Sequence, residues 1–155
     1  MKPDVDIGEV NRFFTEVGII HQLISSKLEA FLPGRMTSTQ FGILGHLSRR
    51  PEGETPLQLS IAFQVPKTSM THMLAGLVAN GFIVLAANPD DKRSKIARTT
   101  PGGHRFLGET TQAISSALAP VLAELGGEPF AASLPDLTRI REALDKERDD
   151  EAPGP

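Results

Sequence analysis

The chain has 155 residues, no cysteine and a formal net charge of −3. That length fits one domain able to bury a core, and the lack of cysteine removes disulfides, thiol nucleophiles and thiol redox sensing together. No apolar run approaches a membrane span, and the opening MKPDVDIGE lacks the basic-then-apolar layout of a signal peptide; a cytoplasmic chain with no membrane partner is expected.

Residues 1–8 are polar and expected to be mobile. From about Gly8 to Phe31 the residues Val10, Phe13, Phe14, Val17, Ile20, Leu23, Ile24 and Leu28 recur at three- and four-residue spacing, which predicts a long helix with a wide apolar face. Leu32-Pro33-Gly34 ends it. The next helix opens on a capping box, Thr37-x-x-Gln40, and carries Phe41, Ile43, Leu44 and Leu47 toward a core. Gly42 and Gly45 in it would allow close helix approach. Arg49-Arg50-Pro51-Glu52-Gly53 closes it. The two arginines either touch a phosphate backbone or sit at a helix C-terminus, where positive charge is favourable.

A second capping box, Thr55-x-x-Gln58 with Pro56 at the first helical position, starts a short helix whose apolar side is assigned to Leu57 and Ile61, with Leu59 and Phe63 beside them. Pro66 breaks it, because Val65 is pushed out of helical backbone angles. A second helix then runs from about Lys67 to Ala79, with Met70, Met73, Leu74, Leu77 and Val78 as its buried stripe. Lys67, Thr68, Ser69, Thr71 and His72 lie mostly opposite that stripe. Asn80-Gly81 ends it. Two short helices, a tight turn and a polar, basic start to the second helix form the helix-turn-helix pattern.

A hairpin follows at once. Phe82 to Leu85 is β-prone, Asn88-Pro89-Asp90-Asp91 is turn chemistry, and Lys95 to Thr100 returns with Lys95 and Arg98 directed outward. Basic residues at the tip, Lys92, Arg93 and Lys95, make this a wing. An arginine there suits a narrow minor groove, where negative potential concentrates. After Pro101-Gly102-Gly103 a helix runs to about Leu125, with Pro120 kinking it or splitting it in two. Gly126-Gly127-Glu128-Pro129 links to a last helix, Phe130 to about Lys146, interrupted or initiated near Ser133-Leu134-Pro135-Asp136. The charged tail, 148–155, is expected to fray.

These pieces resemble the MarR family of winged-helix transcription regulators. The resemblance spans about Asn11 to Glu147. It rests on Met36-Thr37-x-x-Gln40-Phe41, Gly76-Leu77-x-x-x-Gly81-Phe82-Ile83, Asp91-x-Arg93-Ser94 and Thr100-x-x-Gly103. It implies that Asp91 pairs with Arg93 to shape the wing and that Arg93 enters the minor groove. Two positions depart from the family pattern. Pro66 stands where Ser or Asp usually caps the recognition helix, and Ala97 and Thr99 stand where Val and Leu are usual, which suggests a loosely packed wing.

The fold class expected is therefore mainly α with a small β-hairpin wing: one domain, with a winged helix-turn-helix lobe over 37–102 and dimerisation helices over 8–35 and 103–147. The outer helices carry more apolar surface than one small core can use, which argues for a two-fold homodimer reading half-sites roughly one DNA turn apart. The acidic total does not exclude double-stranded DNA, because charge is segregated: residues 64–106 sum to +4 and the remainder to −7.

The DNA contacts expected are Lys67, Thr68, Ser69, Thr71 and His72 on the recognition helix and Asp91, Arg93, Ser94 and Lys95 in the wing. The resemblance further implies a small aromatic or anionic effector bound between dimer helices and lobe. His21, Arg35 and His46 are its candidate contacts, although a lone histidine among apolar residues is more often a structural group. No metal site is expected, since the four histidines are scattered. No glycine-rich phosphate loop, nucleophile elbow or His-Glu metal motif appears, so neither an enzyme nor a cofactor is expected. The reading is a ligand-responsive repressor. Its rival is a winged helix that binds another protein instead of DNA, supported by the acidic total and the thin basic patch.

Overall fold

The computed structural model describes residues 5–151. The element order is α1 (Ile7–Glu29), α2 (Ser38–Ser48), α3 (Pro56–Ala62), α4 (Lys67–Ala79), β1 (Ile83–Ala87), β2 (Lys95–Thr99), α5 (Pro101–Ala117), α6 (Ala119–Leu125) and α7 (Glu128–Glu151). The chain divides into two compact units, one through Ser115 and one from Ser116. The first holds a winged helix-turn-helix preceded by a long helix; the second is helical.

Local chemistry sets the boundaries of the first unit. Both capping boxes form, with the Thr37 and Thr55 hydroxyls accepting from the Gln40 and Gln58 amides and each glutamine side chain returning to the cap. At the end of α4, Gly81 (φ 73°) donates to Val78 and Phe82 donates to Leu77. This two-bond closure needs a left-handed residue, which glycine adopts without strain. β1 and β2 pair antiparallel, Ile83 opposite Thr99 and Ala87 opposite Lys95. Glu54 exchanges backbone hydrogen bonds with Ala97 at 2.8 and 3.2 Å, adding a third short rung to the hairpin.

The core draws on every element from α2 to β2. Met36, Ile43, Leu44, Leu47, Leu59, Met70, Leu74, Leu77, Ile83 and Ala97 form one buried cluster. Phe106 of α5 stacks on Phe82, centroids 4.2 Å apart, and meets Phe41 edge-on at 6.1 Å, seating the start of α5 on the lobe.

Several expectations are corrected here. In α3, Leu59 is fully buried and Phe63 half-buried, whereas Leu57 and Ile61 are exposed. These residues alternate between opposite sides of a helix, and the core takes the side of Leu59. Val78 is also exposed, at the edge of the α4 stripe. Close helix approach occurs at Gly76, where an added Cβ would meet Gln40 Nε2 at 2.6 Å, and not at Gly42 or Gly45, where it would make ordinary contacts of 3.6–3.9 Å. The wing base is tight rather than loose. Ala97 is fully buried, and a Cβ at Gly53 (φ 77°) would run into its carbonyl, so the small residue fits because the 53–54 backbone lies against it.

The C-terminal helices also differ from expectation. A break does fall at Leu118, with Pro120 in the first turn of α6. No interruption occurs near Ser133-Pro135: α7 is continuous from Glu128 to Glu151 with Pro135 inside it. Within it Ser133 donates back to the Pro129 carbonyl and Asp136 pairs with Arg139 at 3.1 Å. The tail expected over 148–155 is helical through Glu151, and its remainder lies outside the described residues; of the segment 1–8, residues 1–4 lie outside them and Ile7 and Gly8 already belong to α1.

Candidate nucleic-acid interface

The first turns of α4 form one half of the site. Its stripe of Met70, Leu74 and Leu77 is anchored in the core, so the opposite side must face out. Lys67, Thr68, Ser69, Thr71 and His72 are all exposed, as expected. The Thr71 hydroxyl donates to the Lys67 carbonyl at 2.9 Å, which leaves its oxygen free only as an acceptor. Pro66 precedes α4 and supplies no side-chain cap. The amides of the first turn are thus left at the positive end of the helix without a capping oxygen, a setting that favours an anion.

A second tie on α4 is Gln40, a residue that the sequence offers as part of a capping box and of the family resemblance. Its Oε1 accepts from the Thr37 amide at 2.9 Å, and its Nε2 donates to the Met73 carbonyl at 3.0 Å. One buried amide thus ties the N-terminus of α2 to the middle of the recognition helix. The sequence signal was present but split, because Gln40 and Gly76 lie far apart in the chain.

The wing forms the other half. Asn88 Oδ1 accepts from the Asp90 amide at 3.0 Å, and Asp91 Oδ1 accepts from the Arg93 amide at 3.0 Å. These two Asx turns shape the tip. Ser94 is held internally: its hydroxyl accepts from Asn88 Nδ2 at 2.7 Å and donates to the Asp91 carbonyl at 3.2 Å. The Arg93 side chain projects with 95% exposure, and Arg93 Nε lies 3.6 Å from Asp91 Oδ1. An exposed pair at that distance is worth little in stability; it orients the guanidinium without sequestering it. Lys92 and Lys95 are exposed beside it. Arg98 does not point freely outward, for its Nε donates to the Glu52 carbonyl at 3.0 Å.

The three residues assigned to an effector are not brought together. Arg35 lines a cleft of about 790 Å³ with Gln40, Val65, His72, Met73 and Gly76. His21 is exposed on α1 and lines neither of the two clefts described for this chain. His46 belongs to a structural network. Its Nε2 lies 2.8 Å from Glu54 Oε2, its Nδ1 lies 3.3 Å from Arg50 Nη1, and its ring meets Phe63 edge-on at 5.3 Å. Arg50 Nε closes the network on Glu54 at 2.7 Å. Arg50 is therefore spent within the fold, which resolves half of the ambiguity over Arg49-Arg50.

A paired-helix reader, an Asx-shaped wing and a basic tip define a winged helix-turn-helix protein. Comparison with known proteins agrees. A sequence profile described as the MarR family matches residues 36–94. The multiple antibiotic resistance protein MarR of Escherichia coli is 30% identical over 102 residues, which cover 59% of this chain and 70% of that protein. The MarR protein of Salmonella typhimurium is 38% identical over 72 residues, 46% of this chain and about half (49%) of the relative's length. The chain belongs to the MarR family.

Solved structures match over most of the chain. Apo wild-type E. coli MarR superposes with a TM-score of 0.67 at 24% identity, covering 88% of this chain and 97% of that one. A cysteine-to-serine mutant of E. coli MarR complexed with operator DNA gives 0.66 at 25% identity, covering 88% and 99%.

Proposed function

We propose that this chain is a homodimeric, sequence-specific DNA-binding transcription regulator, acting as a repressor that a small aromatic or anionic effector releases from a pseudo-palindromic operator. The observation that carries the reading is the pairing of two exposed, basic elements on one packed lobe: the uncapped, polar first turns of α4 and a wing whose Arg93 stands almost fully free. The E. coli relative in complex with operator DNA supports it. In this reading Thr68, Ser69, Thr71 and His72 meet base edges or phosphates in the major groove, Lys67 and Lys95 neutralise phosphates, and Arg93 enters the minor groove with Asp91 bracing it.

Residues 37–102 would be the reading lobe of a single MarR-like domain, with 8–35 and 103–147 supplying the dimer contacts. Support comes from α1, where Phe13, Phe14, Val17, Ile20, Leu23 and Ile24 are exposed and Leu28 is the one buried residue. Leu125, Phe130, Leu134, Leu137 and Leu144 are likewise exposed on α6 and α7. An apolar face of this kind, on α1 and separately on α6 and α7, marks an interface. The effector would enter the Arg35–His72 cleft, where a cation and an imidazole face the apolar Val65 and Met73.

The test is fluorescence anisotropy of the protein on a labelled duplex from upstream of its own gene, against a scrambled duplex, at several salt concentrations. The reading predicts preference for the upstream duplex and a log–log salt slope of about −0.9 per phosphate contact. Loss of binding to both duplexes at low salt would favour the protein-partner function instead. Adding small aromatic acids should release the duplex, and Arg35→Ala should abolish that release.

A further inference from the structure

A second cleft, of about 370 Å³, opens at the base of the wing. Its walls are Arg49 and Arg50 at the end of α2, Arg98 and Thr99 of β2, and His104 in the first turn of α5. Three guanidinium groups and an imidazole line it, and no carboxylate does. Arg50 is committed to Glu54 and His46. Arg98 spends only its Nε, on the Glu52 carbonyl, and both terminal nitrogens remain available. Arg49 and His104 make no side-chain hydrogen bond or ion pair among the described residues. The Thr99 hydroxyl is buried and has no hydrogen-bond partner there.

We infer that this cleft binds a small oxyanion, a phosphate or sulfate group carried free or on a compact molecule. A guanidinium fork matches the spacing of phosphate oxygens, and an ionised acceptor makes each such bond stronger.

The cleft is placed away from the DNA-reading surface. β2 alone carries the chain roughly 13 Å from Lys95 to Thr99, at about 3.3 Å per residue. Thr99 pairs with Ile83, just past the end of α4. The first turn of α4 is a further ~18 Å along the helix axis, at 1.5 Å per residue. A group held here is therefore distinct from the phosphates that Lys67 and Arg93 would meet. A bound anion would bridge α2, β2 and α5, the elements that hold the wing on the lobe.

The experiment is a titration of the ¹⁵N-labelled full chain with inorganic phosphate, ionic strength being held constant with sodium chloride. NMR suits a chain without tryptophan or tyrosine. Saturable shifts are expected at the amides of Arg49, Thr99, Gly103 and His104, on a binding curve that Arg98→Gln weakens while any response at Thr68 stays as in wild type. Arg98→Gln should weaken phosphate at least about tenfold. Arg49→Gln changes an exposed side chain that lines the cleft, so it should leave Tm unchanged while weakening phosphate several-fold. Shifts that never saturate, or full phosphate affinity in both Arg49→Gln and Arg98→Gln, would overturn the site. If phosphate does not saturate but Arg49→Gln and Arg98→Gln each flatten the salt slope of duplex binding by about 0.9, the cleft is a DNA-backbone contact and the small-anion site is wrong.

Discussion

The winged lobe and the long first helix use the same kinds of side chain in opposite ways. Met36 and nine apolar residues from α2, α3, α4 and the hairpin close into one buried cluster. α1 carries as rich an apolar pattern over Ile7–Glu29, yet buries Leu28 alone. Apolar periodicity therefore says that a face will be covered, and not by what. In the lobe the cover is the chain itself. For α1 the proposed cover is a second copy of the chain.

The largest effect should come from breaking that proposed cover. Phe14→Glu with Leu23→Glu would place two carboxylates in an apolar interface, where unpaired charge is strongly unfavourable. Sedimentation should then change from a two-chain to a one-chain species; an unchanged mass would leave α1 without its assigned role. Next is Leu74→Ala, which should lower unfolding free energy by about 2–5 kcal/mol, since Leu74 is fully buried in the lobe. Urea denaturation measures it, and a loss under about 1 kcal/mol would mean the lobe core is looser than it looks.

A smaller loss is expected from Gln40→Leu. It removes the bonds to Thr37 and Met73, leaving partly buried groups unpaired at a cost of about 1–3 kcal/mol. Because Gln40 ties α4 to α2, DNA affinity measured under fully folded conditions should fall as well; stability loss with unaltered affinity would reduce Gln40 to a packing residue. The smallest change belongs to Gln64, in the turn between the paired helices. It holds φ 51°, a left-handed conformation unfavourable for a side chain. Gln64→Gly should stabilise by roughly 0.5 kcal/mol after the entropy of the unfolded chain is counted, a shift of one or two degrees or so in Tm.

Local chemistry was readable in the sequence, and long-range pairing was not. Thr37-x-x-Gln40, Thr55-Pro56-x-Gln58 and Asn80-Gly81 each name their own partner within a few residues, and each forms as read; the Asp91–Arg93 contact came from the family resemblance. The side of α3 that is buried depends on where α4 and β2 lie, so its apolar pattern alone does not reveal that Leu59, and not Leu57 or Ile61, enters the core. Arg98 reaches the Glu52 carbonyl, 46 residues away, and Gln40 reaches Met73, 33 away. No spacing rule announces either contact. His46 looked like a polar group waiting for a ligand because its partners, Glu54 and Arg50, become neighbours only when the chain after α2 doubles back.

The most direct test of the account is the affinity of Arg93→Ala for the upstream duplex, compared with wild type at one salt concentration. The side chain is almost wholly exposed, so stability should stay within about 0.5 kcal/mol. Losing a charged contact in the minor groove should weaken binding at least about tenfold. An Arg93→Ala protein that melts as wild type and binds the duplex equally well would contradict the wing's role, and with it the proposed DNA-reading surface.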